Sequence, residues 1–480
     1  MSPLYPYLLL LVFLNVNGFL WVPSVCQESI RLNMIHRHHP KFEKKTGVKA
    51  PESPMERLQQ LIRLDEKRIE MVFRMREHRR KVAEAVVNMT TTEKQQKRQV
   101  LSLPSSVQLQ LYSGSYSYTN SYVTTFRVGT PPQRLLLITD TGSALTWANC
   151  IHNCSDCSRK HRRRRIFDAD KSTSIRSIPC SSEMCQVGLQ EFNAYYDYCP
   201  KRKSPCWYDM SYSGGTTVIG FFANETVTVK RRNKGHTRIH QVLIGCTDPT
   251  GNTDFSEADG IIGLGYSPYS FAYRAAMQLG GKFSYSLMDV LSSRNVSNYI
   301  VFGEDNKKMQ MQYTELVLGK VGTHYALNVR GISVGGVMLD IPPYVWDVEM
   351  GYGAILDSGT SAFALPEMAY RPIVDALKAA LEGYPPVTVT GLEYCVIVDN
   401  TTTFDESRVP KLVIHFADGA TFEPPVKNYV INPGEGGRCL GFMPTPWPAD
   451  SLIGSFMQQG YLWEFDLING KLGYALADCT

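Results

Sequence analysis

The hydrophobic positions of this chain change period along its length, and each change predicts a different element. Residues 4–25 are almost continuously apolar, and no charged side chain occurs before Gln27. From Ser29 to Arg98 the chain is rich in Arg, Lys, Glu and Gln, and Leu58, Leu61, Ile62, Ile69, Val72 and Phe73 recur at helical spacing. Asp65 falls inside that stripe, so the predicted helix has an imperfect apolar face. Beyond it the pattern shortens to apolar runs closed by turn residues. Leu136-Leu137-Ile138-Thr139 and Ala354-Ile355-Leu356 are the clearest of these, and both read as strands. With 26 Tyr, 37 Gly and 27 Pro, the composition suits strands and turns better than a helical bundle.

The 480 residues, 43% hydrophobic and 20% charged, suffice for two domains or one large two-lobed unit and exclude disorder over most of the chain. Only the first twenty-odd residues are apolar enough to span a bilayer, which excludes a polytopic membrane protein. The net charge of +5 is unevenly placed. Residues 27–98 hold 18 Lys+Arg against 10 Asp+Glu, and the rest of the chain is slightly acidic. Basicity thus belongs to one N-terminal segment, and nucleic acid is not an expected partner.

Residues 1–26 are expected to be a secretory signal peptide, although the usual basic start is missing; an uncleaved anchor is the alternative. If the signal is cleaved, no stable membrane span remains. Residues 27–98 read as a basic, partly helical propeptide, an intramolecular inhibitor lying over an acidic cleft, or as a charged surface helix or coiled coil. Lys97-Arg98 marks a possible processing point.

Twelve cysteines are clustered unevenly: Cys150, Cys154 and Cys157, then Cys180, Cys185, Cys199 and Cys206, with Cys246, Cys395, Cys439 and Cys479 scattered. Cys154-x-x-Cys157 could supply half of a zinc site, but no second such pair follows. Disulfides in an oxidising compartment are the expectation, with no metal. Loss of Cys26 with the signal leaves an odd number and so at least one free or intermolecular thiol. Asn88, Asn153, Asn224, Asn295 and Asn400 each open an Asn-x-Ser/Thr glycosylation sequon.

The sharpest feature is a repeated motif. Asp140-Thr141-Gly142-Ser143 and Asp357-Ser358-Gly359-Thr360 each close one of the two apolar strands named above. Gly260-Ile261-Ile262-Gly263 follows the first motif and Leu452-Ile453-Gly454 the second, which suggests two similar halves made by duplication. Duplication suits carboxylate chemistry. Two carboxylates about 3 Å apart repel, so the pair holds one proton over a broad acidic range. The ionised member takes a proton from water while the protonated member polarises a carbonyl. Such a coupled pair predicts a bell-shaped acidic pH profile. Gly142 and Gly359 would permit close backbone approach, and the hydroxyls of Thr141, Ser143, Ser358 and Thr360 would fix the carboxylates. The plainer alternative is a pair of Asx turns ending two strands.

At these residues the sequence resembles the pepsin-like aspartic peptidases, within them the plant nepenthesin-like branch. The resemblance runs from about Tyr122 to Cys479. It includes Val128-Gly129-Thr130-Pro131-Pro132, Asp140 through Trp147, Pro179-Cys180-Ser181-Ser182, Ile244-Gly245-Cys246, Phe283-Ser284-Tyr285, Asp357 through Ser361, and Tyr461 through Asp466. It implies an all-β, mainly antiparallel, bilobal fold with few short helices, each lobe giving one Asp to a cleft between them. The expected lobes are residues 104–303, with the first Asp, the flap and a Cys-rich insert, and residues 304–480, with the second Asp. The resemblance also matches Tyr212 to the flap tyrosine that closes over the cleft, and Trp147 to the tryptophan that supports it. Ser213 stands where the family usually has Gly, which bears on substrate preference. Tyr212 on its own residues reads as an ordinary hairpin aromatic. The segment Cys150–Cys185 resembles the insert of this branch, and the run Arg159–Arg165 within it is either a solvated loop, a cleavage site or a dock for an acidic partner. Ser286 replaces a cysteine common among relatives, so the family's pairing would leave Cys479 as the free thiol.

The expected function is an aspartic endopeptidase acting on proteins or peptides at acidic pH, made as a zymogen and monomeric, with no metal or organic cofactor. Its expected location is the secretory route, outside the cell or in the vacuole, with the plastid as alternative. The rival functions are an inactive pepsin-fold protein that binds and inhibits another enzyme, and a secreted zinc protein using the Cys150–Cys157 cluster.

Overall fold

The computed structural model describes residues 30–69, 122–152, 166–192, 194–195, 199, 201–211, 217–231, 235–248, 258–288, 298–304, 309–398 and 404–477. The predicted signal, Lys97-Arg98, Val72, Phe73, Cys26, Cys154, Cys157, Arg159–Arg165, Tyr212, Ser213, Cys479 and the sequons at Asn88, Asn153, Asn295 and Asn400 lie outside these residues. Asn224 is partly exposed on the strand Thr217–Arg231.

The molecule is mostly β and bilobal, as the resemblance implies. In the N-terminal lobe the strand Gln133–Asp140 lies between an antiparallel neighbour, Tyr122–Val128, and a parallel one, Gly260–Gly263, which pairs Gly260 with Leu137 and Gly263 with Asp140. Its last six residues are all buried, because both faces are covered. The C-terminal lobe repeats the arrangement. Ala354–Leu356 lies parallel to Ser451–Ile453, pairing Ile355 with Leu452 and Leu356 with Ile453. The second copy of each Ile-Gly echo therefore sits beside its own Asp strand. Each echo strand also pairs antiparallel with the strand after the motif: Ile261 with Trp147, and Ile453 with Phe363.

The lobes are joined through the strands Lys282–Ser286 and Tyr461–Asp466, which pair antiparallel. Phe283 and Phe465 face each other in that register and stack with centroids 4.5 Å apart, with Tyr325 tilted against Phe465 at 4.7 Å. This aromatic cluster fixes the lobes behind the two Asp turns.

Disulfides staple the described residues at several places. Cys150–Cys246 ties two neighbouring strands, Cys180–Cys199 and Cys185–Cys206 tie the end of the insert to the chain before the strand Trp207–Ser211, and Cys395–Cys439 joins a cross-strand pair. Among the described residues no group of His, Cys, Asp and Glu is placed to hold a metal, and no helix is long and apolar enough to cross a membrane.

The basic N-terminal segment contributes more than the predicted helix. Ile30–His36 alternates buried and exposed positions and inserts between Asn298–Phe302 and Tyr122–Val128, pairing Ile30 with Phe302 and His36 with Tyr122. Residues 54–69 then form a helix. Ser53 and Glu56 start it with a reciprocal capping box, the Glu56 amide donating to Ser53 Oγ at 3.1 Å and the Ser53 amide to Glu56 Oε2 at 3.3 Å. Leu58, Leu61, Ile62 and Ile69 pack against Val317, Val348, Ile355 and Leu392 of the C-terminal lobe. Burying side chains of this size is worth about 1.5–3 kcal/mol each.

Candidate active site

The two Asp turns meet head to head. Within each, the amide two residues on donates to the carboxylate, Gly142 to Asp140 Oδ1 at 3.1 Å and Gly359 to Asp357 Oδ1 at 2.9 Å. The hydroxyl three residues on holds the other oxygen, Ser143 to Asp140 Oδ2 at 2.7 Å and Thr360 to Asp357 Oδ2 at 2.6 Å. Both carboxylates are thus fixed by the same pair of donors, and the side chains are buried.

Two of the four hydroxyls do something other than expected. Thr141 and Ser358 do not hold the carboxylates; they bind each other's turn across the lobe boundary. The Ser358 amide donates to Thr141 Oγ1 at 2.8 Å, and Thr141 Oγ1 lies 3.1 Å from Ser358 Oγ and 3.3 Å from the Leu356 carbonyl. As the second residue of each motif, they lie where the duplicated turns face each other, and they lock the two lobes at the site.

The glycines are required by close approach. A Cβ on Gly142 would lie 2.9 Å from Asp357 Oδ1, and one on Gly359 would lie 2.7 Å from Asp140 Oδ1. Each carboxylate therefore packs over the glycine of the other motif, which only a residue without a side chain permits.

Between the carboxylates stands Arg68, from the helix 54–69. Its Nη2 donates to Asp140 Oδ1 and to Asp357 Oδ1, both at 2.8 Å, and its Nε donates to Asp357 Oδ2 at 2.7 Å. One guanidinium, 2% exposed, thus spans both motifs. One turn earlier Asp65, wholly buried, accepts from the amides of Ser361 at 2.9 Å and Ala362 at 2.8 Å and from Ser361 Oγ at 3.1 Å. Burial pushes the Asp65 carboxyl up to about 7, against the pull of those amides, the Ser361 hydroxyl and Arg68.

A second titratable contact ties the turn after the strand Ile30–His36 to the helix 54–69. His38 is buried and its Nε2 bonds Gln60 Oε1 at 2.7 Å, while its Nδ1 has no partner among the described residues. Burial lowers His38 to about 4, helped by the charges of Arg37 and Arg57 and opposed by the Gln60 bond. The His36 ring packs edge-on to it at 5.0 Å.

Sequence reasoning thus brought Asp140, Thr141, Gly142, Ser143, Asp357, Ser358, Gly359 and Thr360 to one place, but it missed Asp65, Arg68, Ser361 and Ala362. The signal was present: Asp65 occupies a position where the helical stripe calls for an apolar residue, and Arg68 follows it three residues on. Two charges on the inward face of a helix are better read as ligands for a polar partner than as flaws in a stripe. Trp147 is buried, as a support residue would be; Tyr212 lies outside the described residues.

Two family models match, one described as "Xylanase inhibitor N-terminal" over residues 122–304 and one as "Xylanase inhibitor C-terminal" over residues 324–476. Aspartyl protease family protein 2 of Arabidopsis thaliana is 31% identical over 386 residues, covering 78% of this chain and 75% of its own. Aspartic proteinase nepenthesin-1 of Nepenthes gracilis is 27% identical over 390 residues, covering 79% and 82%. In fold, the chain resembles soybean basic 7S globulin, with a TM-score of 0.57, 17% identity and coverage of 75% of this chain and 94% of that one. The duplicated Asp turns, the fold around them and the likeness over most of the sequence together show that this chain belongs to the plant pepsin-like aspartic protease family.

Proposed function

We propose that the chain is an aspartic-type endopeptidase made as a latent precursor, with residues 27–98 as its inhibitory arm. The observation that carries this reading is the convergence of Asp140 and Asp357 on one nitrogen of Arg68. Two carboxylates held that close suit water activation, and a cation between them occupies the ground where water and the scissile peptide would sit.

Once the arm withdraws, the ionised carboxylate takes a proton from a water molecule as its oxygen attacks the substrate carbonyl carbon. The protonated carboxyl gives its proton to the carbonyl oxygen, forming a tetrahedral diol. In the breakdown the first carboxyl gives its new proton to the leaving amine, a diol hydroxyl returns a proton to the second carboxylate, and the C–N bond breaks with no covalent enzyme intermediate. The donors on each carboxylate, Gly142 and Ser143 or Gly359 and Thr360, keep the oxygens aimed inward through both steps. Tyr212 is assigned the closing of the site. Substrates are proteins or peptides, the working pH is acidic, and the chain acts as a monomer. The disulfides fit an oxidising secretory route, ending outside the cell or in the vacuole.

The test is degradation of a denatured protein between pH 3 and pH 7 by acid-treated wild type and by Asp140→Asn. Activity that is lost in the variant supports the reading. A second reading, a binding protein directed at another enzyme, draws on the description of the matching family models. Absence of activity in wild type whose arm has been removed would favour it.

A further inference from the structure

Away from the Asp turns, the arm and the N-terminal lobe enclose a groove of about 750 Å³. Its arm wall carries Arg31 on the strand Ile30–His36 and Lys41, Lys44 and Lys45 on the helix Pro40–Thr46. Its lobe wall carries Arg127, Arg134 and Lys230. Among the described residues no Asp or Glu lines it, and Lys41, Lys44, Arg134 and Lys230 make no ion pair with an acidic side chain. Those four are exposed.

The charges are arranged against the stability of the elements that bear them. Arg127 and Arg134 stand directly opposite each other on paired strands, where like charges are destabilising. Lys41 lies three and four residues before Lys44 and Lys45 on one short helix, again a like-charge spacing. Two places thus set like charges together, the Arg127–Arg134 pair and the short helix, and the groove is where they converge. Local rules broken together at one place mark a functional surface.

We propose that this groove is a docking site for a linear polycarboxylate, a polyuronate chain. The choice among polyanions follows from the lining. Among the described residues it holds no Phe, Tyr or Trp to serve as a platform for stacking bases, which single-stranded nucleic acid uses. The disulfides fit an oxidising route, away from the cytosol and nucleus where nucleic acid is held. Four of the seven cations belong to the arm, so the site is complete only while the arm is docked. A ligand that binds only the docked form holds the arm in place by mass action. The surface therefore ties the latent form to an acidic matrix and weakens when the arm leaves.

The experiment measures binding of the intact full chain to polygalacturonate at pH 7 in low and moderate salt. Wild type is expected to bind, with affinity falling as salt rises. The variant Lys41→Gln/Lys44→Gln/Arg134→Gln/Lys230→Gln, all at exposed positions, should bind about tenfold or more weaker. A charge-matched control, Arg162→Gln/Arg163→Gln/Arg164→Gln/Arg165→Gln, should bind nearly as wild type does. Failure of wild type to bind overturns the proposal. So does an equal loss in the control, unchanged binding in the groove variant, or tighter binding to single-stranded DNA of matched charge. Thermal unfolding of each variant at the wild-type temperature excludes a folding defect as the cause.

Discussion

Replacing Arg68 by Met separates the arm's electrostatic contact from its apolar one. The substitution keeps an unbranched, helix-compatible side chain of similar length on the buried face, but it removes three charge-assisted hydrogen bonds of 2.7–2.8 Å. Because Arg68 is 2% exposed and both carboxylates are buried, water does not replace what is lost. Removing one partner of a buried ion pair costs about 3–5 kcal/mol, since the remaining charges stay desolvated. In the docked state Asp140 and Asp357 would face each other without the cation. At about 1.4 kcal/mol per decade, docking of the helix 54–69 should weaken by roughly two to three and a half decades. Leu58, Leu61, Ile62 and Ile69 remain in place, so the fold of the lobes should be unaffected. The assay is hydrolysis of a quenched fluorescent peptide by the freshly purified, unprocessed chain, with its length checked by mass before and after. The variant should be active before any cleavage, under conditions where wild type is silent. Arg68→Lys, a point charge that cannot fork to both turns, should fall between them. If Arg68→Met stays as silent as wild type while its helix exchanges amide hydrogens faster, latency does not depend on the arm. If exchange is also unchanged, the ion pair contributes nothing to docking.

The two shifted groups of the arm predict opposite responses to pH. His38 is lowered from 6.5 to about 4, so its contribution to the docked arm is present above pH 6.5 and is lost as pH falls toward 4, up to about 3 kcal/mol. His38→Gln should therefore keep the helix 54–69 protected from hydrogen exchange to lower pH than wild type. Asp65 is raised from 3.8 to about 7, so its contribution is present below 3.8 and is lost as pH rises through 7. Asp65→Asn, which can still accept from Ser361 and Ala362, should increase that protection at neutral pH. Thr141→Val leaves the buried Ser358 amide without its acceptor and should lower stability by about 1–3 kcal/mol in denaturant unfolding.

The core of this site was legible because duplication wrote it twice. Each Asp motif followed an apolar strand, and each Ile-Gly echo marked the parallel neighbour that covers that strand. The arm's helix was legible from its stripe, but its purpose was not, because a periodicity reading scores Asp65 as a defect. Only the facing amides of Ser361 and Ala362, 296 and 297 residues away, give that carboxylate a reason to be buried. The strand Ile30–His36 was missed for a similar reason: its alternation is short and spaced by Arg31 and Asn33, and its partners lie far along the chain. The different tasks of Ser143 and Thr141 also required coordinates, since a sequence shows four hydroxyls beside two carboxylates and not which way each one turns.

The most direct test of the central claim, a water-activating carboxylate pair held under its own arm, is a calorimetric titration with a statine-containing peptide. The hydroxyl of such a ligand takes the place of the attacked water and mimics the tetrahedral intermediate. Acid-processed protein is expected to bind one equivalent and lose its peptidase activity in proportion. The intact chain, with Arg68 between Asp140 and Asp357, is expected to bind about a hundredfold weaker or worse. Equal binding by both forms would contradict the role of the arm, and no binding by the processed form would contradict the role of the pair.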